Sequence, residues 1–171
     1  MPRRQPEKPI EDVVRELGRY PMDAFVFVQG CIAVASEQVH GPMSQAQAAV
    51  SQWMARSEID LDGLRRRSES GKLPPDIAEA LQAAGGLENM NRHVTGQELC
   101  RAVRAVALKR WGLMARTVLA RWGITRTEDI GVIVFALVDN DWLQKQPTDS
   151  PGDFENAFSF EEAFDQAYRI E

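Results

Sequence analysis

The run Val94-Thr95-Gly96-Gln97-Glu98-Leu99-Cys100-Arg101-Ala102-Val103-Arg104-Ala105-Val106-Ala107-Leu108-Lys109-Arg110-Trp111-Gly112 decides the fold class of this chain. Thr95 and Glu98 have the capping-box spacing, in which a hydroxyl takes one free backbone N–H at a helix start and a carboxylate reaches back to another. Val94 and Leu99 stand where a hydrophobic staple closes over that start. Leu99, Cys100, Val103, Val106, Ala107 and Trp111 then share one helical arc, and Gln97, Arg101 and Arg104 share the opposite one. This pattern predicts a helix with one face in a core and one cationic face in water.

Working outward, Arg110-Trp111-Gly112 returns eleven residues later as Arg121-Trp122-Gly123. Each glycine can take the left-handed conformation that ends a helix, each arginine suits a helix C-terminus, and each tryptophan can pack back into the core. A second helix over 113–122 follows. A third, capped by Thr125 or Thr127 with Glu128 and Asp129 at its positive end, buries Ile130, Ile133, Val134, Leu137, Val138 and Trp142 and leaves Glu128, Asp129, Asp139 and Asn140 outside. Residues 143–146 and 153–158 read as two short strands around a turn-rich Pro147 to Gly152, and Ser159 with Glu162 opens a terminal helix through Phe160, Ala163, Phe164 and Tyr168.

Toward the N-terminus, Ile10, Val13, Val14 and Leu17 fall on one face of a short helix that Gly18 stops. Behind Tyr20-Pro21, a longer helix carries Phe25, Val28, Ile32, Ala35 and Val39 at steps of three and four, with Phe27, Cys31 and Val34 beside them. Residues 41–92 have smaller apolar residues and more breakers. Ser44 with Gln47 caps a helix through Val50, Trp53 and Met54, and short helices follow at 59–64 and 77–81. The expected organisation is a disordered tail over 1–9 and one helical domain over 10–171, with 41–92 as a helical insert or connector.

Composition bounds the rest. At 171 residues, 44% apolar and 26% charged, the chain is long enough for a sizeable core and ordinary for a soluble protein. No N-terminal apolar run resembles a signal peptide, and the longest apolar run, 132–138, falls well short of the about 20 residues a membrane span needs. A cytoplasmic protein with no membrane contact is expected. Charge is divided by position: 93–126 carries Arg101, Arg104, Lys109, Arg110, Arg116, Arg121 and Arg126 against Glu98, a net +6, and 127–171 has a net −9. Opposite charges in neighbouring segments attract within a Debye length.

Tyr20-Pro21, His93-Val94-Thr95-Gly96-Gln97-Glu98-Leu99, Trp122-Gly123, Thr127-Glu128-Asp129 and Val134-Phe135-Ala136-Leu137-Val138 together resemble an uncharacterised family of small bacterial proteins. The resemblance covers Ile10 to about His40 and Arg92 onward. It implies a shared fold and carries no activity.

Three helices, a hairpin and a terminal helix have the element order of a winged-helix module, so the expected fold class is mainly α with a winged-helix-like C-terminal half. Its chemistry opposes groove reading: Glu128, Asp129, Asp139 and Asp141 on the third helix, with Asp149, Asp153 and Glu155 on the wing, would face phosphate. The cationic set Arg101, Arg104, Lys109, Arg116, Arg121 and Arg126 is instead the possible interaction surface, toward a protein partner or a second copy first and nucleic acid second.

Cys31, His40, His93 and Cys100 are the whole supply of thiols and imidazoles, and their spacing lacks the close pairs of a zinc site. Packing thiols are expected, with no metal and no cofactor. No nucleophile–base pattern and no phosphate loop occurs, and Asp129, Asp139 and Asp141 read as exposed acids, so no catalytic residue is assigned and a non-enzyme is expected. Trp53, Trp111, Trp122 and Trp142 read as core anchors.

Overall fold

A computed structural model of the chain describes residues 6–143 and 150–166. Among these residues there are eight α-helices and no β-strand, and no helix is long and apolar enough to cross a membrane. The helices are α1 (Ile10–Leu17), α2 (Met22–His40), α3 (Gln45–Ser57), α4 (Leu61–Glu69), α5 (Pro75–Ala83), α6 (Gly96–Trp111), α7 (Ala115–Arg121) and α8 (Thr127–Asp139). They fall into two compact units. One is His40–His93; the other is Pro6–Val39 together with the described residues from Val94 on.

The His40–His93 unit has its own core of Val50, Ile59, Leu64, Leu81, Ala84 and Met90. Ser44 and Gln47 form the expected reciprocal cap, and the Gln47 amide also donates to the Asn89 carbonyl at 2.8 Å. Asp60 caps α4 by accepting from the Gly63 N–H at 2.8 Å, a local start signal of the usual kind. The two ends of the unit meet, because the His40 imidazole bonds the His93 carbonyl at 2.7 Å and the Arg92 guanidinium donates to the Gly41 carbonyl.

In the larger unit, α1, α2, α6, α7 and α8 contribute to one core, in which Phe25, Val28, Val103, Leu119, Ile130, Ile133, Leu137 and Phe164 are almost wholly excluded from water. Each such side chain contributes about 1.5–3 kcal/mol relative to exposure. The Thr95–Glu98 box starts α6 as expected, and Gly18 and Gly123 take the left-handed conformation. Three expectations need correction. α2 leaves the core after Ala35, and Val39 is exposed. α7 starts only at Ala115, after a 3₁₀ turn over Gly112–Met114. Neither threonine caps α8, since Asp129 reaches back to the Thr125 and Arg126 N–H groups and Thr127 is used elsewhere. Residues 1–5 of the tail expected to be disordered lie outside the described residues, while the Lys8 carbonyl accepts from the Trp142 indole at 3.1 Å.

The largest departure is the wing. Of the first expected strand, 143–146, only Leu143 is described. The expected returning strand, 153–158, is no strand: Pro151–Phe154 is a 3₁₀ turn, and Asn156 takes a positive φ of 46°. This segment is instead clasped to α8 and α6. Thr127 donates to the Phe154 carbonyl at 2.6 Å and accepts from the Ala157 N–H at 3.2 Å, and Glu128 accepts from the Asn156 N–H at 2.9 Å. Those backbone groups are taken by side chains, so they pair with no strand. A winged-helix hairpin is thus not supported. The terminal segment is also irregular, a π-helical stretch over Glu161–Gln166.

The clasp needs bare backbone beneath it. A Cβ on Gly131 would lie 2.9 Å from the Phe154 ring, and one on Gly96 would lie 2.9 Å from the Asp153 side chain. Gly131→Ala should therefore lose about 1–2 kcal/mol in urea unfolding, the overpacking cost exceeding the usual gain of replacing a helical glycine. Gly30→Ala is the control. Nothing lies within 4 Å of its added Cβ in α2, so the same measurement should show a gain of about 0.5–1 kcal/mol.

Candidate interaction surface

The echoed triplets build the centre of the site. Gly112 and Gly123 both have positive φ, of 52° and 82°, and the turns they make bring Trp111 and Trp122 together edge to face at 5.4 Å. Phe27 of α2 completes the seam, 5.1 Å from Trp111 and 5.6 Å from Trp122. Ring pairs at such distances contribute about 0.5–1.5 kcal/mol each beyond burial. The Arg110 guanidinium lies over Phe27 at 6.0 Å. Both tryptophans are partly buried, so the reading as core anchors holds for them while their outer edges meet water.

All six residues singled out as a possible surface, Arg101, Arg104, Lys109, Arg116, Arg121 and Arg126, are exposed. Two of them meet the acidic C-terminal segment. The Arg104 Nε donates to the Ala163 carbonyl at 3.2 Å, and Arg116 forms an ion pair with Asp165. Among the described residues, Arg101, Lys109, Arg121 and Arg126 have no carboxylate within ion-pair distance. The turn between α6 and α7 adds two apolar side chains, Leu113 at 60% exposure and Met114 at 56%. A shallow open depression on α7 is lined by Arg116, Thr117, Ala120 and Arg121. The arrangement sets exposed guanidinium groups that can hold an anion near exposed apolar side chains.

Asp129, expected to be exposed, is buried, at 4%. It accepts from the Tyr20 hydroxyl at 2.6 Å and from the N–H groups of Thr125 at 2.9 Å and Arg126 at 3.2 Å, with Arg19 at 3.5 Å. The missed signal was its place at the third position of α8, where an acid reaches back over the helix start. Asp139 stands exposed about 15 Å further along the helix, so no carboxylate pair forms between them. Burial, then the hydrogen bond to Asp129, then that carboxylate's charge raise the Tyr20 hydroxyl well above its usual range.

Cys31 and Cys100 lie in the core of the larger unit, and burial pushes each thiol up to about 12. His40 and His93 belong to the other unit. Among the described residues, no three His, Cys, Asp or Glu side chains gather as metal ligands would. No protein-family model, curated protein or solved structure matches the chain.

Two outcomes follow. The fold holds the Tyr20 proton more tightly than the unfolded chain does, so this contribution to stability is complete below about pH 10 and is lost as pH rises beyond it. Tyr20→Phe should flatten the alkaline fall in a pH series of melting temperatures and, by leaving Asp129 one donor short, lower stability at neutral pH by about 1–3 kcal/mol. Cys31 and Cys100 should ignore a thiol reagent at about pH 8 in native protein and both react in denaturant. Rapid labelling of either native thiol would contradict its place in the core.

Proposed function

We propose that the chain is a non-catalytic protein-interaction module that uses the cationic edge of α6 and α7 to hold an acidic partner. The observation that carries this reading is the set of exposed cations Arg101, Lys109, Arg121 and Arg126, with no carboxylate within ion-pair distance among the described residues, together with the exposed Leu113 and Met114 between α6 and α7. Opposite charge would steer the encounter and set register, and apolar cover would lengthen the residence time. The edge also suits self-association, since the described chain exposes Asp139, Glu155, Glu161 and Glu162.

A second reading is a nucleic-acid accessory protein. The partly buried Trp111 and Trp122 beside Arg110 and Arg121 favour it, because aromatic faces and guanidinium groups together stack on bases. The exposed Glu161 and Glu162 oppose it, since they belong to the segment docked on the same helices and would meet an extended phosphate backbone.

Affinity capture on the full chain, with and without nuclease, separates the two. A protein should be retained after nuclease treatment and lost from the double variant Lys109→Glu and Arg121→Glu, while sedimentation of the purified chain at low and high salt reports the second-copy version. Capture that disappears with nuclease would move the edge to the nucleic-acid reading. Retention that ignores the double variant would end the proposal.

A further inference from the structure

The chain already carries one example of what the α6–α7 helix pair binds. Its own C-terminal segment buries Phe160, Ala163 and Phe164, with the two rings edge to face at 5.0 Å. Its polar groups go to the helices, the Ala163 carbonyl to Arg104 and the Asp165 carboxylate to Arg116. This is the binding mode of a short acidic segment with apolar anchors. Arg116 is used twice, because it also lines the open depression on α7 together with Thr117, Ala120 and Arg121. Beyond the Arg116–Asp165 pair, the exposed Arg121 guanidinium lines the same depression and has no carboxylate within ion-pair distance among the described residues. Leu113 and Met114 stand exposed in the 3₁₀ turn that leads directly into α7.

Resting on the protein-interaction reading, we infer that the depression between Arg116 and Arg121 takes a carboxylate from an acidic segment of a partner protein, whose apolar side chains cover Leu113 and Met114. Charge complementarity selects the partner's sign. Width selects its class, since a narrow segment can lie along α7 alone, whereas a duplex or an anionic membrane spreads over Glu161 and Glu162 as well. Apolar cover adds a term that phosphate cannot supply: two large side chains at 60% and 56% exposure would leave water. Hydrogen bonding by Thr117 to the incoming carboxylate would fix its position.

The probe is a labelled peptide copying residues 158–165, titrated into the full chain and followed by fluorescence anisotropy. Its three acids, Glu161, Glu162 and Asp165, are replaced by amides in a control peptide. A 20-nucleotide single strand and vesicles containing an anionic lipid serve as comparison ligands. The expected result is salt-dependent binding of the acidic peptide, weaker by about tenfold for the amide peptide, for Arg121→Glu and for Leu113→Ser with Met114→Ser. All three positions are exposed, and an unchanged melting curve confirms that each variant is folded. Peptide binding that ignores Leu113→Ser with Met114→Ser, or failure of the peptide beside nuclease-resistant capture, overturns this inference and leaves the protein-interaction reading standing. Binding of the single strand or the vesicles in place of the peptide, with the same sensitivity to Arg121→Glu, overturns both.

Discussion

The carboxylate of Asp129 is the constraint on which the larger unit depends. It sits at 4% exposure at the start of α8 and is met by groups from the approach to α2, from the loop after α7 and from α8's own start. A buried charge is tolerable only when its lone pairs are filled, and here a phenol, two backbone N–H groups and a guanidinium fill them. The same contacts supply the cap that α8 lacks from its threonines. Tyr20 and Asp129, 109 residues apart, are therefore one interaction, and the order of the helices between them must bring those two points together.

Two devices close the core on either side of that carboxylate. Gly96 and Gly131 let the 150–157 segment approach α6 and α8 at backbone distance, and Thr127, freed from capping, bonds the segment twice. On the opposite flank, Gly123 allows the Arg19 carbonyl and the Tyr20 ring to pack beside the turn that delivers Trp122. Small residues thus determine where irregular chain can lie, and rings pack in two places, Phe27 with Trp111 and Trp122, and Phe154 with Phe135.

The electrostatic division of the sequence has a more limited counterpart in the fold than its totals suggest. Arg116 with Asp165 is an exposed pair and contributes little to stability, typically under about 1 kcal/mol. What attaches the acidic segment is the burial of Phe160 and Phe164. The cations that this segment leaves uncovered stay exposed to solvent on α6 and α7. Net charge alone could not separate the two roles, because both use the same residue types.

Local rules were enough for much of the architecture. The capping boxes at Ser44 and Thr95, the left-handed stop at Gly18 and the arc of α6 are set within a few residues, where backbone geometry and helical period leave little choice. The echo around Trp111 and Trp122 was visible as a pattern, but their contact with Phe27 needed the turn of the chain between them. Asp129 and residues 153–158 depart from expectation for one reason. Their local signals, an acid near a helix start and a run of mixed polarity, are satisfied equally well in water or in a clasp. Most of the helical segments and the faces they bury could be read from local pattern, because period and capping act at short range. The burial of Asp129, the tie that Thr127 makes in place of a wing, and the exposure of Leu113, Met114 and Arg121 were settled by packing at long range, because each outcome depends on which distant group arrives to fill or leave the space.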